Sequence, residues 1–191
     1  MTVRLQTSDF RLYVAAALLT AAALAVPLWG FSMSAPQYPD ETLYLRVVRG
    51  GIAGDVHEVE TLQQYIGVRF PTSLPELQLA VRVIAGLAAL LGVAAFVGRG
   101  TPGRVFRWIT VGVFAAFLAG SAAAVQARLY QVGHDRDRSA PIRAVRDFTP
   151  PIVGPVKVGN FTVWSFPHVG AAMLLMAAVL STKAAASRPE A

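Results

Sequence analysis

Apolar residues along the chain gather in four long blocks, Leu12 to Phe31, Leu77 to Val97, Ile109 to Val125 and Phe166 to Leu180. A helix rises about 1.5 Å per residue and the hydrocarbon core of a bilayer is about 30 Å thick, so roughly 20 apolar residues cross it. The first three blocks meet that length. The fourth is short, but Trp164, Phe166 and Pro167 in front of it and Lys183 behind it are residues that settle in the membrane interface. Buried helices of a soluble bundle would carry polar stripes at helical spacing, and blocks one, three and four have almost none. The pattern predicts an all-α integral membrane protein with four transmembrane helices and a small mixed α/β extracytoplasmic cap made by two loops.

In order, the expected segments are an N-terminus and first span over 1–31, a first outer loop over 32–74 and a second span over 75–97. An inner loop over 98–107, a third span over 108–128, a second outer loop over 129–165, a fourth span over 166–182 and a tail over 183–191 complete the chain. Pro27 is expected to kink the first span near its outer end. Ser73-Leu-Pro-Glu76 reads as a capping box with Pro in the first turn of the second span. Gly112, Ala116, Gly120 and Ala124 recur every four residues on the third span, as Ala88 and Gly92 do on the second, and small residues so spaced let a neighbouring backbone approach closely. Within the loops, Leu43 to Val48 and Val156 to Trp164 alternate as strands do, and Val59 to Ile66 reads as a short helix stopped by Gly67.

Charge orients this arrangement. Short connections rich in Lys and Arg stay cytoplasmic. Arg99, Arg104 and Arg107, with Arg4 and Arg11 before the first span and Lys183 and Arg188 after the last, place both termini inside a bacterial inner membrane. Asp40, Glu41, Asp55, Glu58, Glu60 and nearby Glu76 mark the first loop as external. The second loop mixes Arg136, Arg138, Arg143, Arg146 and Lys157 with Asp135, Asp137 and Asp147, and parity puts it outside as well. Arg82, two turns into the second span, either snorkels to the outer interface or pairs with an acid of the loops. Arg4 and Arg11 with Ser32-Met33-Ser34 also fit a cleaved signal peptide, but the apolar stretch exceeds a usual h-region and an uncleaved anchor is expected.

Composition agrees, with 54% hydrophobic and 15% charged residues, where soluble domains carry about a quarter charged. The net charge of +6 is that of interfacial anchors, and no nucleic-acid partner is expected. The absence of cysteine excludes disulfides and thiolate chemistry. No phosphate loop, nucleophile motif or HExxH is present, so no enzymatic activity is expected.

Possible metal ligands are distributed unevenly. His57, His134 and His168 all lie outside the spans on the expected outer side. His134 is followed by Asp135 and Asp137, His57 by Glu58, and Met33 stands at the outer end of the first span. Imidazole with carboxylates suits copper(II), zinc or nickel, and thioether suits copper(I). The competing reading of His134 is a loop histidine held by Asp135 or Asp137. Met173 and Met176, one turn apart in the fourth span, read as packing residues.

Pro27-Leu-Trp29, Ala35-Pro-Gln-Tyr-Pro39 and Tyr65-Ile-Gly67, then Gly133-His-Asp-Arg-Asp137, Ala140-Pro-Ile142, Phe148-Thr-Pro-Pro151 and Asn160-Phe161, together resemble a family of small four-span bacterial inner-membrane proteins found beside copper-handling accessory proteins of the nitrous-oxide-reductase type. The resemblance covers both loops and the order of the spans, and implies a copper-associated role at the outer membrane face. The family pattern reads His-Tyr-Ile-Gly-Met where this chain has Gln64-Tyr-Ile-Gly-Val68, so its two best copper ligands are replaced. A metal site in this chain then rests on His134, Asp135, Asp137, His57 and Met33. Two functions follow as expectations: a copper-related accessory protein working with a copper-handling partner, or a non-catalytic subunit or assembly factor of a larger membrane complex, respiratory or copper-enzyme. A transporter is disfavoured, because no ionisable residue is expected near the bilayer midplane and no repeat is visible.

Overall fold

A computed structural model describes residues 7–35, 38–68, 74–98, 100–135, 137 and 147–187, with only the backbone at 7, 38, 39 and 64–66. Its helices are α1 (Thr7–Ala22), continued by a 3-10 turn over Ala23–Ala25, α2 (Val56–Ile66), α3 (Pro75–Phe96), α4 (Thr101–His134) and α5 (Val169–Ala186). Its strands are β1 (Trp29–Ala35), β2 (Tyr38–Val48), β3 (Gly51–Gly54), β4 (Gly154–Val158) and β5 (Phe161–Pro167).

Four of the helices, α1 with its 3-10 extension, α3, α4 and α5, are long and apolar enough to cross a membrane. α1 packs against α3 and α5, and α4 closes on α3 and α5 from the other side. Their common core joins Tyr13, Ala16 and Ala23 of α1 to Ile84, Leu87 and Leu91 of α3, Phe114 of α4 and Leu174 and Ala177 of α5. The small residues at these positions bring the helices together closely. Large apolar side chains point away from the core instead of being covered, among them Leu18, Leu79, Phe96, Leu175 and Val179. Such a surface is unfavourable in water and natural in lipid. Buried hydroxyls inside the helices turn back on their own turns: Thr20 donates to the Ala16 carbonyl, Thr110 to Phe106 and Ser181 to Ala178.

The cap is a five-stranded antiparallel sheet in the order β3-β2-β1-β5-β4. It holds more strand than the loops alone suggest, because the first apolar block divides. Pro27 ends the helix instead of kinking it, and Trp29–Ala35 continues as the central strand. The first residues of that strand, Trp29-Gly-Phe31, are as apolar as a span, so composition does not separate the two. Likewise Val156 to Trp164 forms two strands joined at Gly159, whose positive φ of 60° makes the turn. The third helix of the bundle runs 34 residues, Thr101–His134, beyond its apolar block at both ends. At roughly 50 Å it exceeds the hydrocarbon thickness, and its last turns stand beside the sheet. α2 ends at Gly67 in the left-handed region, as expected from the sequence.

α3 begins with Leu74 as N-cap and Pro75 in the first turn. Ser73 of the expected capping box lies outside the described residues, as do Arg4, Arg99 and Arg188 of the charge argument. Glu76 finds another partner: the Arg128 guanidinium grips its carboxylate, with Nη2 3.0 Å from Oε2, tying the start of α3 to α4. Arg82 is exposed and makes no ion pair among the described residues.

Candidate functional site

The sheet has two unlike faces. On one, Met33, Val163, Val158 and the isolated Val68 pack against Val132 of α4, with Leu43, Leu62, Val156 and Phe148 around them. This second core holds both outer loops to the end of α4. Three further links close it. The Asp137 amide donates to the Gly67 carbonyl at 2.8 Å, the Phe148 amide to Gly133 at 3.3 Å, and the Gln126 side chain to the Pro150 carbonyl at 3.3 Å. Glycine at 133 is required here, since a Cβ would stand 1.8 Å from the Phe148 carbonyl oxygen.

The residues proposed as metal ligands fall at several places on this frame. Met33 is 6% exposed among valines, a core position that makes its thioether a packing group. His57 is exposed in the first turn of α2, its carbonyl accepting from Thr61, and Glu58 beside it is exposed too. His134 is the last residue of α4 and exposed. Its ring stacks on Tyr130 with centroids 3.9 Å apart, and its Nδ1 lies 2.9 Å from the Tyr130 carbonyl oxygen. A carbonyl oxygen only accepts, so that contact places a proton on Nδ1. Asp135 follows directly and is exposed, its amide donating to Gln131. Among the described residues no group of three or more His, Cys, Asp and Glu side chains is gathered as a metal site. His168, the third histidine, caps α5: its Nδ1 accepts from the Val169 amide at 2.9 Å.

At the opposite end of the bundle sits a polar cluster that the sequence did not announce. Arg107 and Asp9 are paired at 3.1 Å and are 5% and 2% exposed. Arg107 Nη2 also donates to the Val97 carbonyl at 2.8 Å, Ser187 Oγ lies 2.8 Å from Asp9 Oδ1, and the guanidinium stands over the Tyr13 ring. One cluster thus joins the ends of α1, α3, α4 and α5. Arg107 had read as one of several loop cations; the helical spacing of Gly103, Arg107 and Thr110, all buried, was the available signal.

The small-residue stripe of α4 does not enter the bundle. Gly112, Ala116, Gly120 and Ala124 are all exposed, and so are Ala115, Ala119, Ala122, Ala123 and Ala127 around them. A Cβ added at Gly112 or Gly120 would meet nothing within 4 Å. The exposed faces of α3 and α5 mix small residues, Ala85, Gly86, Ala89 and Ala172, with the larger Leu79, Val93, Phe96, Leu175, Met176 and Val179.

Comparison of the chain with protein-family models, with curated proteins and with solved structures gave no match.

Proposed function

We infer that this chain is a non-catalytic accessory subunit or assembly factor of a larger membrane complex, anchored by four spans in a bacterial inner membrane. The sheet cap stands on the extracytoplasmic side and both termini are cytoplasmic. The observation that carries this reading is the outer face of α4. Over 112–127 it is built almost wholly of Gly and Ala and is covered by no other element among the described residues. Helices that face only lipid gain nothing from small residues, whereas helices that pack on another helix in the bilayer use them to bring backbones together. Arg11, Arg104, Arg107 and Lys183 at the end away from the sheet support the orientation.

Purification in a gentle detergent tests the reading. A partner of fixed stoichiometry should co-purify, and Gly112→Leu with Gly120→Leu should release it while leaving the chain itself folded. A solitary protein whose behaviour the double variant does not alter would remove the basis of the proposal.

A second reading, a copper-related role at the same membrane face, draws on the exposed His134 ring, whose Nδ1 faces the Tyr130 carbonyl, with Asp135 next to it in sequence. With Met33 in the core, its ligands reduce to His134, Asp135, Asp137 and His57. Titration with copper(I) and copper(II) decides it: stoichiometric binding lost in a His134→Ala, His57→Ala double variant supports it, and binding indifferent to that change removes it.

A further inference from the structure

The face of the sheet turned away from α4 has a composition of its own. Alternation along β1, β2 and β5 and their pairing register place its residues in three rows. Nearest the spans the row is Arg46, Gly30, Phe166. Above it stands Tyr44, Ser32, Trp164, and above that Thr42, Ser34, Thr162. The central strand therefore contributes only Gly30, Ser32 and Ser34, and the side chains of β2 and β5 rise on either side of it. Strand spacing puts the Tyr44 and Trp164 backbones about 10 Å apart with the serine between them. The result is a trough along β1, floored by serines and walled by two aromatic rings.

Several features mark it as built. The Phe166 ring closes its lower end: it lies over Gly30 so tightly that a Cβ there would come within 2.5 Å of the ring. Tyr44 is held on both sides of its peptide, its amide donating to the Asp55 carboxylate at 2.7 Å and its carbonyl accepting from the Asp55 amide at 3.0 Å. Asp55 makes no side-chain cap to α2, and spends its carboxylate on this strand. Trp164 sits on an inner strand paired on both sides. Tyr44 and Trp164 are each 48% exposed, on backbones held by these contacts. The hydroxyls of Ser32, Ser34, Thr42 and Thr162 make no side-chain hydrogen bond to any other described residue.

We propose that this trough binds carbohydrate, with one sugar ring seated between Tyr44 and Trp164. The slightly positive C–H face of a pyranose complements the negative face of an aromatic ring, and the ring quadrupole gives that contact its direction. Sugar hydroxyls both donate and accept, as do the four free hydroxyls of the floor and upper row. The other occupants fit less well. A phosphate needs converging cations, but Arg46 on β2 and Lys157 on β4 stand at opposite corners of the face. An added peptide strand would pair with a sheet edge, whereas this surface offers side chains and no free backbone groups. The sugar can belong to a soluble glycan or to a lipid headgroup.

The full chain in nanodiscs, free of glycoside detergent, provides the test. It is titrated with an N-acetylglucosamine tetramer and with maltotetraose, and compared in nanodiscs with and without a glycolipid, following tryptophan emission. Saturable binding is expected with at least one of these probes. Trp164→Ala and Tyr44→Ala should each weaken it by about tenfold, the effect of one lost aromatic contact. Tyr44→Phe and Trp108→Phe should leave it intact. Ser32→Val, a residue at home in a strand, should abolish binding by filling the floor while the protein stays folded. Response to the tetrasaccharides identifies a glycan site, and response only to the glycolipid a headgroup site. No saturable signal up to roughly 10 mM, or binding indifferent to both alanine variants, overturns the proposal. So does a proline-rich peptide that binds at Trp164 where the sugars do not.

Discussion

The guanidinium of Arg107 stands 3.1 Å from the carboxylate of Asp9, a residue 98 positions earlier, and both side chains are almost wholly buried. Buried ion pairs stabilise little against apolar replacements of the same shape, yet breaking one leaves a charge without its partner. Arg107→Met alone and Asp9→Leu alone should each lower stability by about 3–5 kcal/mol. The double variant should recover most of the loss. Thermal unfolding of the four proteins in one detergent measures the cycle, and additive losses would show that the two residues act separately.

Tyr13 lies in the same cluster, fully buried, and its hydroxyl finds no partner among the described residues. An unpaired buried hydroxyl costs about 1–3 kcal/mol. Tyr13→Phe removes it and keeps the ring beneath Arg107, so the variant is expected to melt no lower than the parent. A clear fall in melting temperature would reveal a hydrogen bond at that hydroxyl.

Gly133→Ala tests how the second loop is held. The added methyl collides with the Phe148 carbonyl, and overpacking of this kind costs about 1–3 kcal/mol. The loop should loosen while the spans stay packed. Limited proteolysis should therefore cut the variant faster near Phe148 than the parent, with helix content unchanged.

Met33 separates packing from metal chemistry. Met33→Leu keeps volume and should cost less than about 1.5 kcal/mol, whereas Met33→Ala should cost about 2–5 kcal/mol through the cavity left among the valines. Any copper affinity of the protein should survive Met33→Leu. Copper binding lost in that variant, with stability intact, would restore Met33 as a ligand.

The four long apolar helices were legible because crossing a bilayer demands length and apolarity together, and the blocks have both. Where a block met the cap the same signal misled. Trp29 to Phe31 and Phe166 to Pro167 belong to strands, and hydropathy alone gave no reason to separate them from the helices beside them. The reach of α4 to His134 was hidden in an amphipathic turn, with Leu129 and Val132 buried and Tyr130 and Gln131 exposed. The candidate ligands were legible as residue types only. Which face of β1 becomes the buried one depends on what covers it, and Val132 and Val163, which pack with Met33, lie far along the chain.

The pairing of β1 with β5 also imposes an order in time. β1 lies between β2 and β5, so during synthesis the strand made first waits with one edge open until Phe161–Pro167 has been made. Helices α3 and α4 are both made in between. Until then the unpaired edge of β1 is open to wrong partners, and the sheet closes only near the end of the chain's synthesis.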